Sequence, residues 1–123
     1  MRMTWRVEQH PTFAEELGRL SEAVQDETLA MAETLKQLGP QLKRPRSDTL
    51  KGSKHANMKE LRFDADGGVW RVAYAFDPES KAILLIAGDK SGGSQKRFYK
   101  GLIKRADERF DEHLAHLQDR MRK

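Results

Sequence analysis

Apolar and polar positions change their rhythm several times along this chain, and each change marks an element. Thr4 to Glu8 (TWRVE) alternates and predicts a short strand. His10-Pro11 breaks it. Thr12 with Glu15 has capping-box spacing and opens a helix. Phe13, Leu17, Leu20, Val24, Met31, Leu35 and Leu38 then recur in steps of three and four, with Thr28 filling one position of the stripe. Gly18 and Ser21 interrupt this stretch, so the pattern predicts two antiparallel helices, 12–20 and 22–38, stopped by Gly39-Pro40. A long basic loop over 39–56 is expected to follow, then strands at 58–64, 69–76 and 82–87. Asp66-Gly67-Gly68 and Asp77-Pro78 form the turns between them. The run Ile83-Leu84-Leu85-Ile86 is apolar on both faces, which places that strand inside the sheet. Ser94 caps a last helix whose Phe98, Leu102, Ala106, Phe110 and Leu114 recur every fourth residue.

Alternation also assigns faces. Trp70, Val72, Tyr74 and Phe76 share one face and are expected to cover the helical hairpin. Arg71 then points the other way, with only Ala73 and Ala75 beside it on its strand. Arg62 likewise alternates away from Leu61 and Phe63. The second face reads as too poor in large apolar groups to carry another core. The expectation is an α+β domain over 1–123: a sheet of about four mainly antiparallel strands, the helical hairpin on one face, and a C-terminal helix. No repeat and no second domain is expected.

At 123 residues, 34% charged and 37% hydrophobic, the chain is expected to have a compact core beneath a heavily charged surface. No window is apolar enough to span a membrane, and the N-terminus lacks the apolar stretch of a signal peptide. Zero cysteines leave no disulfide or thiolate chemistry. A cytoplasmic protein is expected. The net charge of +4 hides a separation of signs: residues 8–33 carry a net −6, residues 43–62 a net +5, and residues 90–105 a net +6. Two basic segments that meet in space would build a strong local potential.

The candidate chemistry follows from that meeting. Lys54, Arg62, Arg71, Lys90, Lys96 and Arg97 form a cationic set suited to a phosphodiester, and arginine's planar fork can bind two phosphate oxygens at once. Cleaving RNA without a metal needs a base for the 2′-hydroxyl, cations for the charge on the phosphorane, and an acid for the 5′-oxygen. Tyr99 and His55 are the candidates to move protons. Arg97 and Lys100 flank Tyr99 and are expected to favour its ionised form. The alternatives stay open: a packed tyrosine ring, a histidine facing solvent, and lysines on a merely solvated surface. The segment Gly88–Ser94 is rich in glycine at a helix start, where free N–H groups favour anions, but it departs from the P-loop pattern. His113 and His116 lie three apart on the last helix without an evident third metal ligand, and read as an exposed helix face. No G-x-S-x-G occurs. No cofactor and no metal is expected.

The strings GPQLKRP, LKGSKHANMKELRF, VWRVAYAFDP, AILLIAGDKSG and KRFYKGLI, in that order from Trp5 to about Leu117, resemble the RelE/ParE toxin superfamily and its HigB-like, phage-derived branch. That resemblance implies a type II toxin, a ribosome-dependent mRNA endoribonuclease held inactive by a cognate antitoxin, often a HigA-like helix-turn-helix protein. Carried over by position, Arg71 would contact the scissile phosphate and Lys90 would be the cation at the end of the last strand. Tyr99 would be the C-terminal catalytic aromatic, and Lys54 or His55 the contribution of the basic loop. Lys90 stands where many relatives have arginine, and Tyr99 falls within a helix instead of a short tail, so the general base is left between Tyr99 and His55. Two rivals remain: a ParE-like poison that binds DNA gyrase without cutting, and an RNA-binding protein without catalysis.

Overall fold

The computed structural model describes residues 4–122. Along the chain run β1 (Arg6–Gln9), α1 (Pro11–Leu17), α2 (Glu22–Leu38), a 3-10 turn (Gly39–Gln41), β2 (Ser47–Thr49), β3 (Lys59–Ala65), β4 (Gly68–Phe76), β5 (Lys81–Asp89) and α3 (Gln95–Met121). The strands form one sheet in the order β1-β5-β4-β3-β2. All neighbours are antiparallel except β1, which pairs parallel to β5 with Arg6 opposite Lys81. The sheet therefore has five strands, not four. The extra one, β2, lies inside the stretch expected to be loop, and at three residues it is too short for alternation to reveal.

Local chemistry explains most boundaries. His10, not Thr12, caps α1: its Nδ1 accepts from the Thr12 N–H at 3.1 Å, and Pro11 supplies the first helical φ. Ser21 Oγ caps α2 through the Val24 N–H, and Ser94 Oγ caps α3 through the Arg97 N–H. Gly39 ends α2 at φ +55, and a Cβ there would fall 2.4 Å from the Trp5 ring, so glycine both turns the chain and seats the indole. Asp66 and Gly67 take φ of 50 and 75, the two left-handed positions of a tight hairpin turn.

Two cores sandwich the sheet. On one face Phe13, Leu17, Val24, Met31 and Leu35 pack on Leu61, Val72, Tyr74 and Leu84, with Trp70 and Phe76 at the margin. On the other, Leu102, Ala106 and Phe110 of α3 pack on Met58, Ala73, Ala75, Ile83 and Leu85. This second core corrects the expectation from sequence. Ala73 and Ala75 are small because a helix lies directly over them. A bulge in β5 between the pairs Ala73–Ile86 and Tyr74–Leu84 leaves Leu85 out of the ladder with β4. Arg109 takes up the slack, donating to the Leu85 carbonyl at 2.8 Å while its two terminal nitrogens grip the Glu16 carboxylate at 2.7 and 2.6 Å. One buried guanidinium thus ties α3 to the sheet and to α1.

Candidate RNA-cleavage site

Arg62 and Arg71 are direct partners across β3 and β4, and both project toward α3. Two cations so placed repel unless a counter-charge lies between them. Glu60, two residues before Arg62 and on the same face, supplies it. Its Oε2 accepts from Arg62 at 3.1 Å, and its Oε1 stands 3.8 Å from Arg71 Nε. Only 3% of Glu60 and 5% of Arg71 is exposed, so this is a buried charge cluster. Tyr99, in the first turns of α3, completes it. Its hydroxyl donates to Glu60 Oε1 at 2.9 Å and accepts from Arg71 Nε at 3.3 Å. Arg71 Nη1 donates to the Trp70 carbonyl at 2.9 Å.

This geometry reverses one expectation. Burial pushes the Tyr99 phenol up, and its hydrogen bond to Glu60 pushes it further, because a neighbouring carboxylate favours the protonated hydroxyl. Arg71 opposes both without prevailing. Arg97 and Lys100, the sequence neighbours expected to favour the phenolate, do not set its state. Tyr99 is a proton donor at rest, with its acceptor already in contact.

The cluster borders solvent. Glu60, Arg62 and Tyr99 line a cleft of about 390 Å³ together with Arg44, Lys51 and Gln95. Lys96 lies three residues before Tyr99 on the same side of α3, exposed like Arg97 beside it. Lys90 is half-buried just past β5, its backbone N–H donating to the Val69 carbonyl at 2.8 Å. Arg71, Glu60, Arg62 and Tyr99 are therefore brought together, with Lys90, Lys96 and Arg97 at the same end of the sheet.

Lys54 and His55 are not. Lys54 pairs with Asp111, and His55 Nε2 lies 2.9 Å from the same carboxylate with its ring edge-on to Phe110. Ser53 Oγ donates to Asp107 at 2.5 Å, and the Lys54 N–H to the same side chain at 3.2 Å. Asp111 is twelve residues beyond Tyr99, about 18 Å along the helix axis. His55 is thus remote from the phenol, and with Lys54 it anchors the loop that carries Lys51 to the cleft. The Lys54 ammonium holds Asp111 below the usual carboxylate range.

Two further readings change. Asp89, near the start of the glycine-rich segment, takes the amides of Val69 and Ser91 at 3.0 and 2.9 Å and the Ser91 hydroxyl at 2.6 Å, so the Ser91 donors are already engaged by a carboxylate of the segment itself. His113 is not on an open face: its Nε2 meets the fully buried Asp77 carboxylate at 2.7 Å. His116 is exposed as expected.

Sequence reasoning missed Glu60, Arg44, Lys51 and Gln95. A signal for Glu60 existed: an acid spaced two residues from an arginine within a strand shares its face. Arg44, Lys51 and Gln95 had none, because loop residues reach the cleft only through tertiary packing.

The family described as phage-derived protein Gp49-like (DUF891) matches residues 15–111. Two Mycobacterium tuberculosis proteins named as toxins are similar. HigB2 is 43% identical over 104 residues, 84% of this chain and 51% of that protein. HigB3 is 47% identical over 77 residues, 63% of this chain and 65% of that protein. The chain thus spans about half the length of the first and less than two thirds of the second. Among solved structures, a free mutant form of Escherichia coli toxin RelE aligns with TM-score 0.58 at 11% identity, covering 82% of this chain and 95% of its own. The RelE–RelB complex of the archaeon Pyrococcus horikoshii OT3 contains a chain that aligns with TM-score 0.53 at 22% identity, covering 74% of this chain and 100% of its own. At these identities the likeness is one of fold.

Proposed function

The chain belongs to the phage-derived Gp49-like family and has the RelE fold, and on that footing we propose that it is the toxin of a type II toxin–antitoxin system, a ribosome-dependent mRNA endoribonuclease acting in the cytoplasm. The Tyr99 hydroxyl, held between Arg71 and Glu60 in the wall of a basic cleft, is the observation that carries this reading. RNA enters along Lys51, Arg62, Lys96 and Arg97. The 2′-hydroxyl gives its proton to Tyr99 as Tyr99 passes its own to Glu60. The 2′-oxygen attacks phosphorus, the bond to the 5′-oxygen breaks, and a cyclic 2′,3′-phosphate forms. Arg62 and Lys90 stabilise the added charge on the phosphorane, and Lys90 protonates the departing 5′-oxygen. Arg71 acts from behind, holding the phenol and balancing Glu60. Acid, base and cations are all side chains, so the reaction as proposed is metal-independent. Lys54 and His55 support the cleft wall through Asp107 and Asp111.

Similarity to proteins named as toxins, and to a RelE chain whose partner is RelB, supports a cognate antitoxin here, for which we propose a HigA-like helix-turn-helix protein. Tyr99→Phe keeps the ring but removes the relay, and Glu60→Gln keeps the shape but removes the acceptor. Proton transfer by a positioned group is worth about 10²–10⁴-fold, so each variant is expected to lose at least about 10²-fold in transcript cleavage while staying folded. Primer extension on mRNA from induced cells measures this. Wild-type growth arrest with intact transcripts and broken DNA would overturn the nuclease in favour of gyrase poisoning. Unimpaired cutting by both variants would overturn the assigned relay.

A further inference from the structure

The cleft beside Tyr99 does not end at β2. A second compartment of about 360 Å³ adjoins it, lined by Lys43, Ser47 and Lys59 and sharing Arg44, Asp48 and Thr49 with the first. The two lie on opposite faces of the sheet. Ser47 Oγ meets Tyr74 Oη at 2.6 Å, on the helical-hairpin face, whereas Asp48 turns toward Arg62 on the α3 face. β2 is the terminal strand of the sheet, so the two hollows meet over its outer edge. Lys43 and Lys59 make no ion pair among the described residues. At the boundary, Asp48 Oδ2 accepts from Arg44 Nη2 at 2.8 Å and from its Nε at 3.0 Å.

We propose that this second compartment is a subsite for the nucleotide adjoining the cleaved phosphodiester, with Lys43 and Lys59 receiving its phosphate and Asp48 as the gate that phosphate must displace from Arg44. The inference rests on the RNA-cleaving reading of the first cleft and extends it: the strand bends over the sheet edge instead of lying on one face. Two hollows of this size, each at the lower end of the volume range of ligand sites, suit successive units of a polyanion better than one compact molecule. Cations stand on both sides of the shared Asp48, and the other carboxylate in the two linings, Glu60, is already engaged by Arg62 and Tyr99. Asp48 thus gives selectivity, since a lone anion meets an occupied Arg44, and only a chain already seated beside Tyr99 arrives with the local concentration to compete.

Binding of 2′-O-methyl RNA dimers, trimers and tetramers to the full chain, followed by fluorescence anisotropy, tests this, because the missing 2′-hydroxyl blocks cleavage. The trimer is expected to bind roughly tenfold more tightly than the dimer, the scale of one charge-assisted phosphate contact. Its affinity should also fall more steeply with salt, by about 0.7 in log–log slope for the added phosphate. The double variant Lys43→Ala/Lys59→Ala should abolish that gain with unchanged thermal melting. Asp48→Asn should tighten the trimer more than the dimer. Equal binding of dimer and trimer, or a gain that survives in the double variant, overturns the subsite alone. Failure of every length to bind, in free solution and when presented as the message of a programmed ribosome, overturns the RNA reading of the cleft and the subsite with it.

Discussion

Arg109 shows how much this small molecule asks of single buried charges. Its guanidinium satisfies the Leu85 carbonyl exposed by the β5 bulge and grips Glu16 with two donors, and that grip holds Glu16 below the usual carboxylate range. Removing one side of such a pair costs more than the pair contributes, because the remaining groups lose their partners. Arg109→Ala is expected to destabilise the fold by about 3 kcal/mol, roughly 10 °C in melting temperature for a chain of this size. Glu16→Gln should cost less, about 1–2 kcal/mol, since its amide oxygen still accepts one hydrogen bond from Arg109. Thermal melting of the two variants checks the ratio. Glu60 follows the same logic at the candidate site. Its strand position was legible, but not its role, because reading cations for a phosphate overlooked the carboxylate that two facing arginines require. Tyr99 was legible as a candidate, whereas its protonation was misread. Sequence neighbours Arg97 and Lys100 counted for less than a carboxylate from thirty-nine residues away.

Among the elements, α2 and α3 were plain from their stripes, and so were the strands of the β3–β4–β5 meander. β2 was not, because a three-residue edge strand is defined by its partner β3 and not by its own pattern. The second core was hidden for a related reason: alanines under a helix look like a bare surface until the helix is placed. Two glycines probe that packing. A Cβ on Gly88 would fall 2.8 Å from the Phe98 ring, so β5 and the start of α3 touch only because glycine stands there. Gly88→Ala is expected to cost about 1–2 kcal/mol and to reduce cleavage as well, since Phe98 carries its neighbour Tyr99 with it. Gly101, one turn further, has nothing within 4 Å of its Cβ position. Gly101→Ala should stabilise the helix by about 0.5–1 kcal/mol. Denaturant melts of both, with the transcript assay on Gly88→Ala, distinguish close packing from simple helix propensity.

Over the whole molecule, charge is sorted by position, and much of it is paired. Glu16, Asp48, Asp77, Asp89 and Asp111 are all held below their ordinary range. For Asp77 burial pushes the other way, but His113 and the amides of Lys81 and Glu79 outweigh it. A carboxylate with a depressed folded pKa adds stability that is present above its unfolded value and vanishes as pH falls through the folded one. The protein is therefore expected to lose stability progressively below about pH 4. Asp77→Asn should flatten that acid limb more than Asp89→Asn, because Asp77 is buried and Asp89 is exposed. Melting temperature against pH reads this directly.

The side-by-side seating of β1 and β5 has a temporal consequence. Residues 6–9 must wait for residues 81–84 before their backbone finds a neighbour, and Tyr99 comes later still in the order of translation. A nascent polypeptide emerging from its ribosome thus carries cationic strands and a buried-to-be glutamate but not yet the Tyr99 hydroxyl that completes the cluster. On the proposed RNA-cleaving reading, the molecule is armed only after the sheet has closed.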